Sequence, residues 1–343
     1  MTFQQLRSRW AIIALATAGV ASLMVGASPA SEAAQSIAAV QAEVTNLQIK
    51  ASAIAESAQQ SQVDLIALTR SLNSVQAKDS VQTTSLTALK RSIGILASEQ
   101  YKNGFLGQGM TLMFSSDPTQ YLNSAQSLSV VETQNAVRMR KFAAADIALK
   151  STALTLNQKV ALVAAAKAQY QAQEAAAQAE LKQAEKLLAG LTKAQRAKLA
   201  ALQKREDNSY QKRSLALSKS KINATGAEAI ALKYALKQLG SRYEFGAAGL
   251  VYWDCSGLTM RALQQAGISV PHSAAAQTSY GKYIPLNKIR PGDLVFFGQP
   301  ITHVGIYFGN GKMVDAPHSG ARVRIETFGS WFGSDKFVAA RRF

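Results

Sequence analysis

The chain has 343 residues, of which 48% are hydrophobic, and a net charge of +17, so it is long enough for two or three structural units. The single cysteine excludes an internal disulfide. The cysteine and the three histidines lack the spacing of zinc ligands, which argues against a zinc site. The positive charge is spread along the chain without an aromatic–basic stacking motif, which argues against nucleic acid as the partner.

The N-terminus predicts a secretory signal peptide over residues 1–30. Arg7 and Arg9 precede an apolar run that continues to about Ala27, and small residues follow as far as Ala30. We therefore expect export to the cell wall, with cleavage near Ala30. The apolar run is at the lower length limit for a membrane-spanning helix, so a retained N-terminal anchor is the alternative.

Residues 31–204 predict a long coiled-coil region with two helical arms. The arms, about 36–100 and 128–204, carry apolar residues at alternating spacings of three and four. Between them, about 101–127, glycines and a proline break the helix and predict an apolar hairpin tip. Neither arm can bury its apolar stripe alone, so the arms pair with each other or with a second chain, and the oligomeric state stays open.

The predicted tip has two interpretations: it packs on its own stem, or it is an apolar docking patch. The order Tyr101-Lys102-Asn103-Gly104 and then Leu112-Met113-Phe114-Ser115-Ser116-Asp117-Pro118 resembles the coiled-coil regions of secreted, division-associated cell-wall hydrolases. This resemblance implies a membrane transporter-like division complex as the partner of the rod, one that relieves autoinhibition at the septum.

Residues 205–226 are polar and basic, and they predict a linker or a frayed helix end. After them, residues 227–343 predict an α+β domain in which helices precede an antiparallel sheet. A helix is expected over Ala227–Leu239, and strands are expected at Leu294–Phe297, His303–Phe308, Met313–Ala316, Val323–Ile325 and Phe337–Ala340.

Three side chains of this domain form a candidate catalytic set. Cys255 is predicted in the first turn of a helix capped by Asp254, where the helix dipole favours the thiolate and the carboxylate opposes it. His303 and Asp315 are twelve positions apart on strands joined by a short turn, so they can meet on one face of the sheet. Such a set is typical of nucleophilic catalysis by a thiolate, an imidazole and an orienting carboxylate. The alternatives are a buried inert thiol and a surface carboxylate.

The domain resembles the NlpC-type cell-wall endopeptidases, which are papain-like. The resemblance covers residues 227–343 and rests on Tyr243, Asp254-Cys255-Ser256-Gly257, Arg290-Pro291-Gly292-Asp293-Leu294-Val295-Phe296-Phe297, His303-Val304-Gly305-Ile306-Tyr307 and Ala316-Pro317-His318-Ser319. It implies Cys255 as the nucleophile, His303 as the base and Asp315 as the orienting group, where family members often have histidine.

The same resemblance implies contacts to the oxyanion or the substrate from Tyr243, Asp254, Ser256 and His318. We interpret His272 as structural or cleft-lining. The leading hypothesis is a secreted endopeptidase that cuts peptidoglycan stem peptides, by resemblance between D-glutamate and the diamino acid, with the coiled coil regulating or positioning it. The alternatives are a catalytically silent coiled-coil adaptor of the wall and a thiol-dependent acyltransferase. We expect no cofactor, no metal and no nucleic-acid partner.

Overall fold

The computed structural model describes residues 37–102, 118–220, 222–327 and 336–343. The predicted signal peptide and residues 103–117 of the predicted hairpin tip lie outside the described residues. Two long helices come first, α1 over Ile37–Lys102 and α2 over Pro118–Ala189, and they pack against each other within the one chain. No described helix combines the length and the hydropathy that crossing a membrane requires.

The apolar stripe of α1 is buried most completely at the start of the helix. Its side chains follow the predicted spacing of three and four, and five of them are almost fully covered: Val40, Val44, Leu47, Ala51 and Ala58. Further along, Leu65, Leu68 and Leu72 of the same stripe are only half-buried. The paired helices are therefore anchored by an apolar cluster at their base, formed by Val40, Val44, Leu47, Ala184, Leu191 and Leu199.

A third helix, α3 over Lys193–Ser218, follows a break after Ala189 and begins with a capping box between Thr192 and Gln195. Of the two interpretations of residues 205–226, the structure supports a helix end as far as Ser218 and corrects the linker over 205–218, because those residues are helical. The physical reason is tertiary packing. Ser214 is fully buried and accepts a hydrogen bond from the backbone N–H of Ile325 at 2.8 Å.

The C-terminal domain has the predicted α+β architecture. Its helices are α4 over Gly226–Lys237, α5 over Cys255–Gln265 and the short α6 over Ala274–Gln277, with a 3₁₀ turn at Leu286–Lys288. A small parallel pair precedes α5, formed by β1 over Arg242–Tyr243 and β2 over Tyr252–Trp253.

Six further strands form one antiparallel sheet in the order β3-β8-β4-β5-β6-β7. The five predicted strands are all present, and β3 is an additional short edge strand. The strands are β3 Lys282–Ile284, β4 Leu294–Phe297, β5 His303–Gly309, β6 Lys312–Asp315, β7 Arg324–Thr327 and β8 Phe337–Arg342.

The main core of this domain lies between the sheet and helices α4 and α5. Leu258 and Leu263 of α5 pack with Val304 and Ile306 of β5 in that core. Because α5 lies directly on β5, the first residue of the helix and the first residue of the strand can share one site. Those residues are Cys255 and His303.

Candidate active site

Helix α5 begins at Cys255 and is capped by Asp254, as the sequence predicts. The Asp254 carboxylate accepts a hydrogen bond from the backbone N–H of Gly257 at 2.6 Å. A Cβ at Gly257 would lie 2.4 Å from the carbonyl oxygen of Ala247, so this helix start also packs tightly on the preceding loop. Both features fix the position of the Cys255 thiol, which is buried.

His303 and Asp315 are in direct contact. The distance from His303 Nε2 to Asp315 Oδ2 is 2.9 Å, and both side chains are buried. Burial raises the pKa of Asp315 to about 7, although the charge of Arg324 acts in the opposite direction. The backbone of Val304, which follows His303, donates a hydrogen bond to the Cys255 sulfur. The start of strand β5 thus brings the histidine to the cysteine.

Tyr243 lies near Cys255, and His318 lies near His303. Burial, followed by the nearby charges of Cys255 and Asp254, raises the pKa of Tyr243, so its phenol remains a hydrogen-bond donor. Burial lowers the pKa of His318 to about 4, and its Nδ1 lies 2.8 Å from the carbonyl oxygen of Ser319. His318 is therefore neutral at pH 7.

His272 lies against the helix cap rather than the thiol. Its Nε2 is 2.9 Å from each carboxylate oxygen of Asp254. Burial is the largest influence and opposes the charged imidazole, but the hydrogen bond to Asp254 and the charges of Asp254 and Glu56 together outweigh it and raise the pKa of His272. This contact supports the structural interpretation of His272. Asp254 is in turn held by the cap, by His272 and by a glutamine of helix α1.

Helix α1 lies over this site, which the sequence did not predict. Four polar side chains on one face of the helix reach the C-terminal domain: Ser52, Glu56, Gln59 and Gln60. Their spacing of four, three and one positions is that of a single helical face. On a long amphipathic helix such a face is ordinarily the solvated one, so no sequence signal distinguished it.

Glu56 makes the central contacts. Its Oε2 accepts hydrogen bonds from the Cys255 thiol at 3.3 Å and from the Ser256 hydroxyl at 2.9 Å. Its Oε1 accepts from the backbone N–H of Ala274 at the start of α6. Glu56 is only 3% exposed, and burial together with the charge of Asp254 raises its pKa to about 7.

The other three side chains surround this contact. Gln59 Nε2 donates to Asp254 Oδ2 at 2.6 Å, and the Ser256 hydroxyl also lies 2.6 Å from Gln59 Oε1. Gln60 accepts from the Ser273 hydroxyl at 2.8 Å. Ser52 is in hydrogen-bond contact with the Tyr243 side chain and accepts from the Ser319 backbone at 3.3 Å.

The presence of Glu56 reverses the thiolate stabilisation that the helix start predicts. Burial, the charge of Glu56 and the charge of Asp254 raise the pKa of Cys255 well above its ordinary value. In this arrangement the sulfur is a neutral thiol that donates to Glu56. The dipole of α5 does not compensate for two adjacent carboxylates in a buried site.

The arrangement places the Cys255 thiol, the His303–Asp315 pair and the Tyr243 phenol in one buried part of the domain. In residues 37–102, 118–220, 222–327 and 336–343, no group of three or more His, Cys, Asp or Glu side chains is placed to hold a metal ion. A buried thiol near an imidazole that is bonded to a carboxyl group can perform thiol chemistry assisted by that imidazole.

Residues 240–342 match the sequence profile of the NlpC/P60 family. This part of the chain is an NlpC/P60 domain. Among curated proteins, the chain is 39% identical over 120 residues to a protein of Mycobacterium tuberculosis named Probable endopeptidase, covering 35% of this chain and 30% of the relative. It is 44% identical over 90 residues to Probable endopeptidase p60 of Listeria monocytogenes, which is 26% of this chain and 19% of that relative.

Peptidoglycan endopeptidase RipA of Mycobacterium tuberculosis is 35% identical over 108 residues, which is 27% of this chain and 23% of RipA. The chain thus spans less than a third of the length of the curated relatives named here. A solved structure of RipA covers 34% of this chain and 62% of its own, at 30% identity and a TM-score of 0.31. The match to the P60 domain of an antigen from M. avium subspecies paratuberculosis covers 34% of this chain and 93% of that one, at 27% identity and a TM-score of 0.30.

Proposed function

We propose that the protein is a secreted cysteine endopeptidase that hydrolyses amide bonds in the stem peptides of peptidoglycan. The observation that carries this proposal is the contact between His303 and Asp315 beside Cys255, inside an NlpC/P60 domain. Relatives with endopeptidase names support peptidoglycan as the substrate class. The bond proposed, from the resemblance, is the amide between D-glutamate and the diamino acid.

In the proposed reaction His303 takes the proton of the Cys255 thiol, and the sulfur attacks the scissile carbonyl carbon. Asp315 holds His303 through Nε2, so Nδ1 is the nitrogen that exchanges the proton with the thiol. The Tyr243 phenol, together with backbone N–H groups at the start of α5, stabilises the oxyanion. His303 then protonates the leaving amine, and water attacks the thioester to release the new carboxylate and regenerate the thiol.

We also propose that α1 holds the enzyme in a closed state. Glu56 occupies the point where a scissile carbonyl must approach Cys255, and Ser52 engages the phenol that would serve the oxyanion. Substrate and α1 therefore compete for the same groups. Opening requires α1 to leave the cleft, and the proposed partner of the rod in that step is a membrane transporter-like division complex.

Mass spectrometry of defined muropeptides tests the proposed activity. We expect products cut at one stem-peptide amide, with one ¹⁸O atom in the new carboxylate when the reaction runs in H₂¹⁸O. Cys255→Ala is expected to abolish the products. Aminoacyl exchange products without ¹⁸O would instead indicate an acyltransferase, and binding to sacculi with no turnover by any opened variant would indicate a silent adaptor.

Mass spectrometry of the mature protein recovered outside the cell tests the proposed export. A mass that begins after about Ala30 supports a cleaved signal peptide, and an intact N-terminus in the membrane fraction indicates the retained anchor instead.

A further inference from the structure

A buried pair of carboxyl groups stands behind the catalytic histidine. Asp315 Oδ2 contacts His303. The other oxygen of Asp315, Oδ1, and Glu326 Oε1 accept no hydrogen bond from any described group outside this carboxyl pair. The two carboxyl side chains are themselves in hydrogen-bond contact. Two ionised carboxylates both only accept, so a hydrogen bond between them requires one proton.

The surroundings decide which carboxyl carries that proton. Glu326 is 5% exposed, and its other oxygen, Oε2, accepts a hydrogen bond from Arg324 Nε at 2.7 Å. Asp315 accepts from His303 on one side and faces Arg324 directly across strands β6 and β7. Burial and the charge of Asp315 raise the pKa of Glu326 well above its ordinary value, and the hydrogen bond between the two raises it further. The same bond lowers the pKa of Asp315.

We propose that Glu326 is a positioning residue of the reaction, whose protonated carboxyl donates a hydrogen bond to Asp315 and so keeps Asp315 ionised and aimed at His303. The cluster then carries one negative charge on Asp315 and one positive charge on Arg324. Ionising both carboxyl groups would place two like charges in contact inside the domain, which is strongly unfavourable. The inference rests on the proposed peptidase function, because it assigns Asp315 the orienting part.

Helix α3 covers the outer side of this cluster. The Arg324 guanidinium lies 4.1 Å above the ring centroid of Tyr210, and Ser214 accepts from the backbone N–H of Ile325. Groups that face Glu326 thus come from β5, β6, β7 and, through Arg324, from α3: His303, Asp315, Arg324 and Tyr210. Asp315 is fully buried and Glu326 is 5% exposed, so water competes little for the proton between the two carboxyl groups.

Glutamine is a close mimic of a neutral glutamic acid at this position. In Glu326→Gln the amide oxygen accepts from Arg324 and the amide nitrogen donates to Asp315, which preserves both contacts. Glu326→Leu keeps the approximate volume and removes both. Loss of a hydrogen bond to a charged group corresponds to roughly 10- to 100-fold in an equilibrium or rate constant.

The test measures muropeptide hydrolysis by full-length protein carrying Glu56→Ala, with and without each Glu326 substitution. We expect Glu326→Gln to stay within about twofold of its parent in kcat/KM, and Glu326→Leu to fall at least about tenfold, mainly in kcat. Asp315→Asn is expected to lose activity like Glu326→Leu. Equal damage from Gln and Leu, or no damage from Leu, overturns the proposal. So does retained activity in Asp315→Asn with loss in Glu326→Gln, which would put the proton on Asp315.

A second readout does not depend on turnover. Selective ¹⁵N-histidine labelling of the full-length protein, which has three histidines, reports the titration of His303. The midpoint is expected to be unchanged in Glu326→Gln and displaced in Glu326→Leu by at least about half a pH unit. If Leu prevents folding, a displaced midpoint in Glu326→Gln alone overturns the proposal. If no opened protein hydrolyses muropeptides but the midpoints behave as expected, the proposed function fails and the positioning of His303 stands.

Discussion

The thiol of Cys255 donates a hydrogen bond to the carboxylate of Glu56, which lies 199 positions earlier in the chain. One carboxylate thereby contacts the candidate nucleophile, the Ser256 hydroxyl and the backbone N–H of Ala274. In the proposed closed state these contacts replace those that a substrate would make at the same groups. On that proposal, activity depends on whether one face of helix α1 remains in the cleft.

Replacing Glu56 by alanine is expected to open the site. The variant loses the three hydrogen bonds that the Glu56 carboxyl accepts from Cys255, Ser256 and Ala274. Loss of one hydrogen bond to a charged group corresponds to about 10- to 100-fold. We expect alkylation of Cys255 by iodoacetamide and hydrolysis of muropeptides each to rise at least about tenfold. Glu43→Ala is the matched control, because Glu43 is an exposed glutamate on the same helix. Equal rates in the two variants would refute the closed state.

The closed state is expected to weaken as pH rises from about 4.5 to about 7. The pKa of Glu56 is raised from 4.5 to about 7 on docking, because of burial and the charge of Asp254, so docking favours the protonated carboxyl. The contribution of Glu56 to the stability of the docked state is complete below pH 4.5 and is lost as pH rises through about 7. Cys255, His272 and Asp254, which also face Glu56, are shared with the control.

The control for this pH dependence is Glu56→Gln, which cannot titrate. The ratio of Cys255 modification rates, wild type over Glu56→Gln, is measured with a disulfide reagent that reacts at acidic pH. We expect this ratio to rise at least about tenfold between pH 5 and pH 7. A flat ratio would mean that the Glu56 carboxyl does not govern docking.

His303 and His318 are expected to differ sharply when each is replaced by alanine in the Glu56→Ala background. His303 is bonded to Asp315 and directly precedes Val304, whose backbone N–H donates to the Cys255 sulfur. Burial lowers the pKa of His318 to about 4 and holds it neutral. His303→Ala should reduce kcat by about 100-fold or more, in the range of general-base catalysis. His318→Ala should act mainly on KM. Similar losses of kcat in both would contradict the assignment of the base.

Gly257→Ala is expected to destabilise the domain and displace the nucleophile. The added Cβ would meet the Ala247 carbonyl oxygen at 2.4 Å, and backbone cannot move aside as a flexible side chain can. We expect a loss of about 1–3 kcal/mol in the free energy of unfolding. Gly94→Ala in α1 is the control, since its Cβ meets nothing within 4 Å, and it should stabilise the helix by about 0.5–1 kcal/mol. Urea unfolding followed by circular dichroism distinguishes the two.

Local patterns in the sequence predicted the parts of the site that depend on local geometry. The Asp254 cap follows from the residue types at a helix start, and the contact of His303 with Asp315 follows from strand alternation across a short turn. Contacts between distant segments left no such pattern. Glu56 lies on a polar helical face like any solvated one, and Glu326 is an ordinary polar residue until the sheet places it against Asp315.

The same reasoning explains the corrected segment 205–218. Its composition is that of a solvated linker, yet Ser214 and Gln211 bond to the backbone of Ile325 and Val323. Helix propensity there is assisted by packing that only the folded domain provides. Sequence periodicity could not reveal it, because the buried positions are polar rather than apolar.

The polar face of α1 and the Cys255 thiol beneath it belong to one covalent chain. Diluting the protein therefore does not release α1 from the cleft. A tethered group acts at an effective concentration on the order of millimolar, whatever the protein concentration. On the proposed function, a stem peptide reaches Cys255 only when its concentration, scaled by its affinity for the cleft, exceeds this effective concentration of α1. Substrate abundance alone is thus a weak trigger, and a force or a partner that changes the tether is a strong one.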